Sequence, residues 1–323
     1  MLRRLVFVVF LAILLDKSIK FSYSLPRHLQ EADDSFEKLE ELRRFEKDRE
    51  KDREHLRKKT TSDEAGNIVS NGELFEGDMI MDDDLRQAVL GEADKRSILK
   101  NSNKLWLDKI VPYEFARNIN EASKECILNA IESFHKHTCI RFKKREKEQH
   151  YIYIKSEPRV CMSYVGKQHG KQPLTIGKGC TRLGTCQHEL LHALGVIHEQ
   201  SRPDRDEHVN VVWSNINENE KNNFRKYSYL KVTEEDIPYD FMSVMHYPNH
   251  AFAKDRSEPT LVSLKDPSLV FGQRDMFTVG DVATINKMYK CPKNDFNSEL
   301  PDVLSDEEVE KRRDMRETFD FSF

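Results

Sequence analysis

The sequence predicts an α+β domain between residues 97 and 291, and three observations carry that expectation. All six cysteines, Cys126, Cys139, Cys161, Cys180, Cys186 and Cys291, fall inside it. Short runs rich in β-branched and aromatic residues share that region with stretches whose apolar residues recur at helical spacing, the signature of strands mixed with helices. The stretches Ser35 to Lys59 on one side and 292–323 on the other are charged and lack a core pattern.

In chain order, the first element is "LWLDKIVPYEF", a strand that Pro112 assigns to a sheet edge because proline lacks the donor a central ladder uses. Asn120 then offers a helix cap, and Ala122, Cys126, Ile127, Ala130, Ile131 and Phe134 repeat with helical period behind it. "CIRF" and "YIYIK" follow as strands. A second helix is expected from about Thr185 to Leu194 and a third from about Val279 to Tyr289, just before Cys291.

The second helix carries chemistry. From His188 the chain reads "HELLHALGVIHEQSRPDRD". His188 and His192 are four apart, so a helix projects both imidazoles from one face toward one metal ion. Glu189 lies beside that point, where a carboxylate can accept a proton from an attacking water. Gly195 can end the helix in a left-handed turn and return the chain, so that His198 supplies a third ligand. Three protein ligands leave a position open, the mark of a catalytic rather than a structural site.

Overall balance says less. The 323 residues carry a net charge of −4 and a pI near 6.3, which gives no reason to expect nucleic acid or an anionic membrane as partner. Residues 1–24 open with two arginines and an apolar run from Leu5 to Leu15, too short to span a bilayer but suited to a secretory signal. An even cysteine count in a secreted chain argues for disulfides, whose pairing the spacing leaves open. "SFEKLEELRRFEKDREKDREHLRKK", Ser35 to Lys59, reads as a charged linker, and Lys95-Arg96 as an exposed processing site. Residues 292–323 read as a disordered tail, with no adhesion module or membrane anchor expected there.

With "YDFMSVMHYPNHAF" downstream, the histidine motif resembles the astacin family of metzincin zinc endopeptidases, over about Ser97 to Cys291. The resemblance implies a two-lobed, zincin-like catalytic domain: a mixed twisted sheet and the active-site helix in the N-terminal lobe, and an irregular C-terminal lobe. It implies one catalytic Zn2+ on His188, His192 and His198, with Glu189 as general base and Tyr247 stabilising the oxyanion. Met245 would be the Met-turn residue beneath the ligands. The activity implied is hydrolysis of peptide bonds in extracellular proteins or peptides by a secreted enzyme. Residues 25–96 would be a propeptide that inhibits its own enzyme, with Asp78 of "FEGD" as the zinc switch. A trypsin-like or dibasic-processing protease would cut after Arg96, and the new ammonium of Ser97 would pair with Glu199. The resemblance further implies Cys139–Cys291 and Cys161–Cys180. Cys126 and Cys186 are extra to that pattern; lying on helices on the same side of the sheet, they are expected to pair, with two free buried thiols as the alternative. Arg274, in "FGQRD", is placed at the first primed subsite, where it would favour an acidic residue after the cut bond. "RPDRD" is expected to form structural ion pairs. His246 receives no role, and His135, His137, His150, His169, His208 and His250 are expected at the surface. The rival readings are a binding protein that keeps the fold without turnover, which would have lost a ligand, Glu189 or Tyr247, and a zinc scaffold with a closed four-ligand site.

Overall fold

Asn120 starts the first helix, α1 (Glu121–His137): its side chain accepts from the Ser123 amide at 2.8 Å. The helix buries Ser123, Cys126, Ile127, Ala130, Ile131, Phe134 and His137 along one stripe. Two of these correct the sequence reading. Ala122 is exposed, and Ser123 takes its place in the core because its hydroxyl donates to the Ile176 carbonyl at 2.7 Å. His137 is buried rather than at the surface, since it lies three residues beyond Phe134 on the same stripe. In a computed structural model the described residues are 74–83, 85, 104–158, 160–227 and 237–292. The expected signal, the linker, Lys95-Arg96, Ser97 and the tail beyond Pro292 lie outside them.

Among the described residues, seven strands form a mixed sheet: β1 (Leu74–Phe75), β2 (Met79–Ile80), β3 (Ile110–Phe115), β4 (Arg141–Lys144), β5 (Tyr151–Lys155), β6 (Cys161–Tyr164) and β7 (Lys171–Ile176), in the order β1-β2-β6-β7-β5-β3-β4. β3 is therefore not an edge strand; it runs parallel to β4 on one side and β5 on the other. Pro112 is tolerated there for a local reason. The carbonyls of Lys109 and Tyr113 accept from Arg141 and Arg145 on the β4 side, which turns the Pro112 nitrogen toward β5. Pairing with β5 begins only at Tyr113, so the missing N–H breaks no ladder bond.

Helix α2 (Leu183–Ala193) packs on α1, and α3 (Val279–Met288) closes the same core behind Phe134, Ile127, Ile152, Leu174, Leu190 and Ile285. A second core lies under the two-stranded ladder β8 (Val209–Val211) with β9 (Leu261–Ser263), built from Val209, Ile216, Phe224, Leu261 and Phe271. Among the described residues, short 3-10 helices and loops make up the rest of this second part. Met245 belongs to the first core and Tyr247 to the second, so the segment between them joins the two.

Three disulfides brace this arrangement: Cys126–Cys186 ties α1 to α2, Cys139–Cys291 ties the end of α1 to the end of α3, and Cys161–Cys180 links β6 to the approach to α2. The Cys139–Cys291 bond spans 152 residues and Cys161–Cys180 spans 19. Loop-closure entropy grows with the logarithm of that span, so removing the longer crosslink is expected to cost about 5 kcal/mol against about 3 for the shorter. Thermal unfolding of the two paired Cys→Ser variants checks the ranking; equal losses would contradict it.

Candidate active site

Helix α2 is placed by its first turn. The Gly184 amide donates to the Asp275 carbonyl at 3.0 Å, and a Cβ on Gly184 would sit 2.4 Å from the Arg274 backbone, so only glycine allows this approach. Cys186, Leu190, Leu191 and Ala193 turn into the core, while His188 and His192 share the other face. Gly195 ends the helix at φ +100°, its amide donating to the His192 carbonyl. The chain turns back, and His198 opens a 3-10 helix, Glu199–Ser201.

All three imidazoles are buried, and each holds its outer nitrogen against an acceptor. His188 Nδ1 donates to the Val244 carbonyl at 2.7 Å, His192 Nδ1 to the Val196 carbonyl at 2.8 Å, and His198 Nδ1 to Glu76 Oε2 at 2.5 Å. A proton fixed on Nδ1 leaves the Nε2 lone pair free for a metal. The Nε2 atoms converge on Asp78: Oδ2 lies 3.0 Å from His188, and Oδ1 lies 3.2 Å from His198 and 3.5 Å from His192. One ligand atom from each of these four residues falls within 4.8 Å of the others. Asp78 Oδ1, His192 Nε2 and His198 Nε2 are buried with no hydrogen-bond partner. Buried polar atoms are nearly always satisfied, and a cation bonded to all of them would satisfy these. Three imidazoles and a carboxylate are a fitting donor set for Zn2+.

Charge follows the same geometry. Burial depresses His188 to about 3, and it opposes ionisation of Asp78, but His198 and His188 outweigh it and hold Asp78 well below the usual carboxylate range. Glu189 is buried beside the site, and its Oε2 has no partner among the described residues. Burial pushes its carboxyl well up, with the Asp78 charge adding and Arg274 opposing. Tyr247 is buried, and its hydroxyl donates to the Glu76 carbonyl. The half-buried Arg274 donates from Nη1 to the carbonyls of His246, at 3.0 Å, and Gln273, at 2.9 Å. It lies close enough for its charge to act on His188 and Glu189.

Met245 is buried, its amide donating to Ser243 Oγ and its carbonyl accepting from the Glu199 amide. Glu199, whose expected partner Ser97 lies outside the described residues, binds Arg202 Nη1 at 3.0 Å and the Asp240 amide at 2.9 Å. Burial lifts its carboxyl to about 8 against the pull of Arg202. Within "RPDRD", Arg202 forks onto Asp204 and Arg205 pairs with Asp206. Three further residues escaped the sequence reading. Glu76 stands inside the quoted "FEGD" but offers no signal beyond its position. Asp281 follows Thr278 by three, a capping pattern that says nothing of its second task at Ser243 and Val244. His246, left without a role, is buried between the Tyr239 hydroxyl and the Tyr247 carbonyl, and burial takes it down to about 3.

Comparison with known proteins agrees with this geometry. A family model described as Astacin (Peptidase family M12A) matches residues 98–290. Zinc metalloproteinase nas-4 of Caenorhabditis elegans is 36% identical over 222 residues, covering 68% of this chain and 70% of the relative. The human meprin A subunit beta is 39% identical over 222 residues, which cover 68% of this chain and 30% of the relative. Among solved structures, high choriolytic enzyme 1, a hatching enzyme zinc-protease of the medaka Oryzias latipes, matches with a TM-score of 0.54 and 35% identity, over 59% of this chain and 92% of that one.

Proposed function

Since the chain belongs to the astacin family of zinc metallopeptidases, peptidase family M12A, we propose that it is a secreted endopeptidase made as a latent zymogen. The observation that carries this reading is the convergence of His188, His192, His198 and Asp78 on one point, with each imidazole's outer nitrogen bound to an acceptor. Bound there, zinc supplies a Lewis acid and a water acidic enough to react near neutral pH. Glu189 takes the proton of the attacking water and passes it to the leaving amine. The Tyr247 hydroxyl, once free of its present acceptor, donates to the carbonyl oxygen of the substrate as that oxygen gains charge. His188, His192 and His198 hold their Nε2 atoms toward the ion, and Met245 fills the core beneath them.

Latency follows from Asp78. Its carboxylate would be a fourth ligand to an ion held by the three histidines, in place of water, carried there by a prosegment within 25–96 whose β2 pairs in parallel with β6 and covers that edge. Cleavage after Arg96 frees the site and creates an ammonium at Ser97, a partner for the half-buried Glu199. The three disulfides support an oxidising, extracellular compartment, as does a signal within 1–24, and substrates are then extracellular proteins or peptides. Among the described residues no helix is long and apolar enough to cross a membrane.

Incubation of the full-length chain with trypsin, followed by assay on casein with and without 1,10-phenanthroline, tests this reading. Activity is expected only after the cut and only without chelator. A folded, zinc-loaded, processed chain that cleaves nothing would favour the binding-protein alternative. Arg274 carries the finer reading: it favours an acidic residue after the cut bond. Paired peptides with Asp or Asn at that position are expected to differ by about tenfold in kcat/KM, the weight of one charge-assisted hydrogen bond. Arg274→Ala should erase the difference; its persistence would place the preference elsewhere.

A further inference from the structure

Asp78 reaches the histidines from a tight turn between β1 and β2, and the residue before that turn's glycine does more than the turn requires. Gly77 at φ +94° is needed, because a Cβ would press on the Phe252 ring at 3.2 Å. Glu76 also sits at positive φ, +54°, which is unfavourable for a residue with a side chain. It is 1% exposed, and a buried carboxylate is costly unless fully paired. Every polar group of Glu76 is paired. Its amide donates to Asn223 Oδ1 at 3.1 Å, Oε1 accepts from Ser201 Oγ at 2.9 Å, Oε2 accepts from His198 Nδ1, and its carbonyl accepts from the Tyr247 hydroxyl.

None of these bonds goes to the point where the four ligand atoms meet. They hold the outer nitrogen of one ligand and the hydroxyl of the oxyanion tyrosine. From that geometry we propose that Glu76 is a second latch of the latent state, independent of Asp78: its side chain clamps His198 and Ser201 while its backbone carbonyl withholds Tyr247 from substrate. The proposal rests on the reading of 25–96 as an inhibitory prosegment. Two residues of one turn, separated by Gly77, then divide the work. Asp78 blocks the metal face, and Glu76 occupies the groups behind and beside it. A carboxylate on the outer nitrogen of a ligating histidine fixes its tautomer and ring orientation. When the prosegment leaves, His198 and Ser201 lose that partner and Tyr247 is freed in the same step. The apolar side chains of Phe75, Met79, Met81 and Leu85, packed on Val165, Ile197 and Tyr227, seat the turn but engage none of these polar groups.

The test uses the full-length, uncut chain as wild type, Glu76→Ala, Glu76→Gln and Asp78→Ala. Amide hydrogen exchange is followed over 74–83 and over α1, and casein cleavage is measured before any processing. Each charge-assisted bond is worth about a tenfold shift in the opening equilibrium. Glu76→Ala is therefore expected to speed exchange over 74–83 by about 10- to 100-fold and to raise uncut activity in parallel, with α1 unchanged. Glu76→Gln, which keeps one acceptor oxygen, should fall between it and wild type, and serves as the reading should Glu76→Ala disturb α1. Chelator-stripped protein should keep the full Glu76→Ala effect and show a reduced Asp78→Ala effect, since Asp78 holds the histidines through the ion as well as directly and Glu76 does not use the ion. Exchange within about twofold of wild type for both Glu76 variants, alongside clear opening by Asp78→Ala, would overturn the proposal and leave the zymogen reading intact. Failure of every trypsin-processed chain to cut casein would count against the protease reading instead, with the exchange data still deciding Glu76.

Discussion

Glu189→Gln is expected to lower kcat of the processed enzyme by roughly 10² to 10⁴-fold, with KM for a peptide substrate and zinc content unchanged. In barrier height that is about 3–5 kcal/mol. Glutamine preserves the volume of a side chain that is 1% exposed on the ligand-bearing helix, so packing around His188 and His192 is retained. It cannot accept and return a proton. The buried Oε2 of Glu189, without a partner among the described residues, is the group left to do so. Zinc ligation does not pass through Glu189, and for that reason the loss should appear in kcat alone. Steady-state kinetics on a quenched fluorescent peptide, with metal content from atomic absorption, gives both numbers. A zinc-loaded variant keeping more than about a tenth of wild-type kcat would take Glu189 out of the proton path.

What the sequence made legible was mostly local. His188 and His192 are readable because a helix puts residues four apart on one face, and Gly195 because a left-handed turn needs it. The Asn120 cap, β5 and α3 likewise depend on near neighbours. What stayed hidden depends on partners far along the chain. The Glu76–His198 contact spans 122 residues, and no local pattern marks either end of it. Pro112 was misread because its cost depends on where β5 begins, which β3 alone does not reveal. β6 and β7, "CMSY" and "KQPLTI", are short and mix polar residues with proline, so they become strands only when laid against β5 and each other. His137 is polar by type and buried by position, and type was the weaker guide.

The second large effect is expected at Asp281, where α3 meets the segment under the ligands. Its Oδ1 accepts from Ser243 Oγ at 2.6 Å, and its Oδ2 accepts from the amides of Val244, at 3.1 Å, and Thr278, at 2.9 Å. Asp281 thus caps α3 and clamps the loop whose Val244 carbonyl orients His188. Asp281→Ala leaves two buried amides without an acceptor, while the Ser243 hydroxyl can rotate to another. At about 1–3 kcal/mol for each unsatisfied group, the loss should be roughly 2–6 kcal/mol, a large share of the 5–15 kcal/mol typical of a folded domain. Zinc affinity should also fall by about 10- to 100-fold, the usual result of disturbing a ligand's outer partner. Denaturant unfolding and competition with a chelator measure the two separately. A loss of stability without a loss of zinc affinity would make Asp281 a helix cap only, and His188 would then owe its orientation to α2. Loss of both would mean that the last helix of the domain sets the geometry of the first ligand through one buried carboxylate.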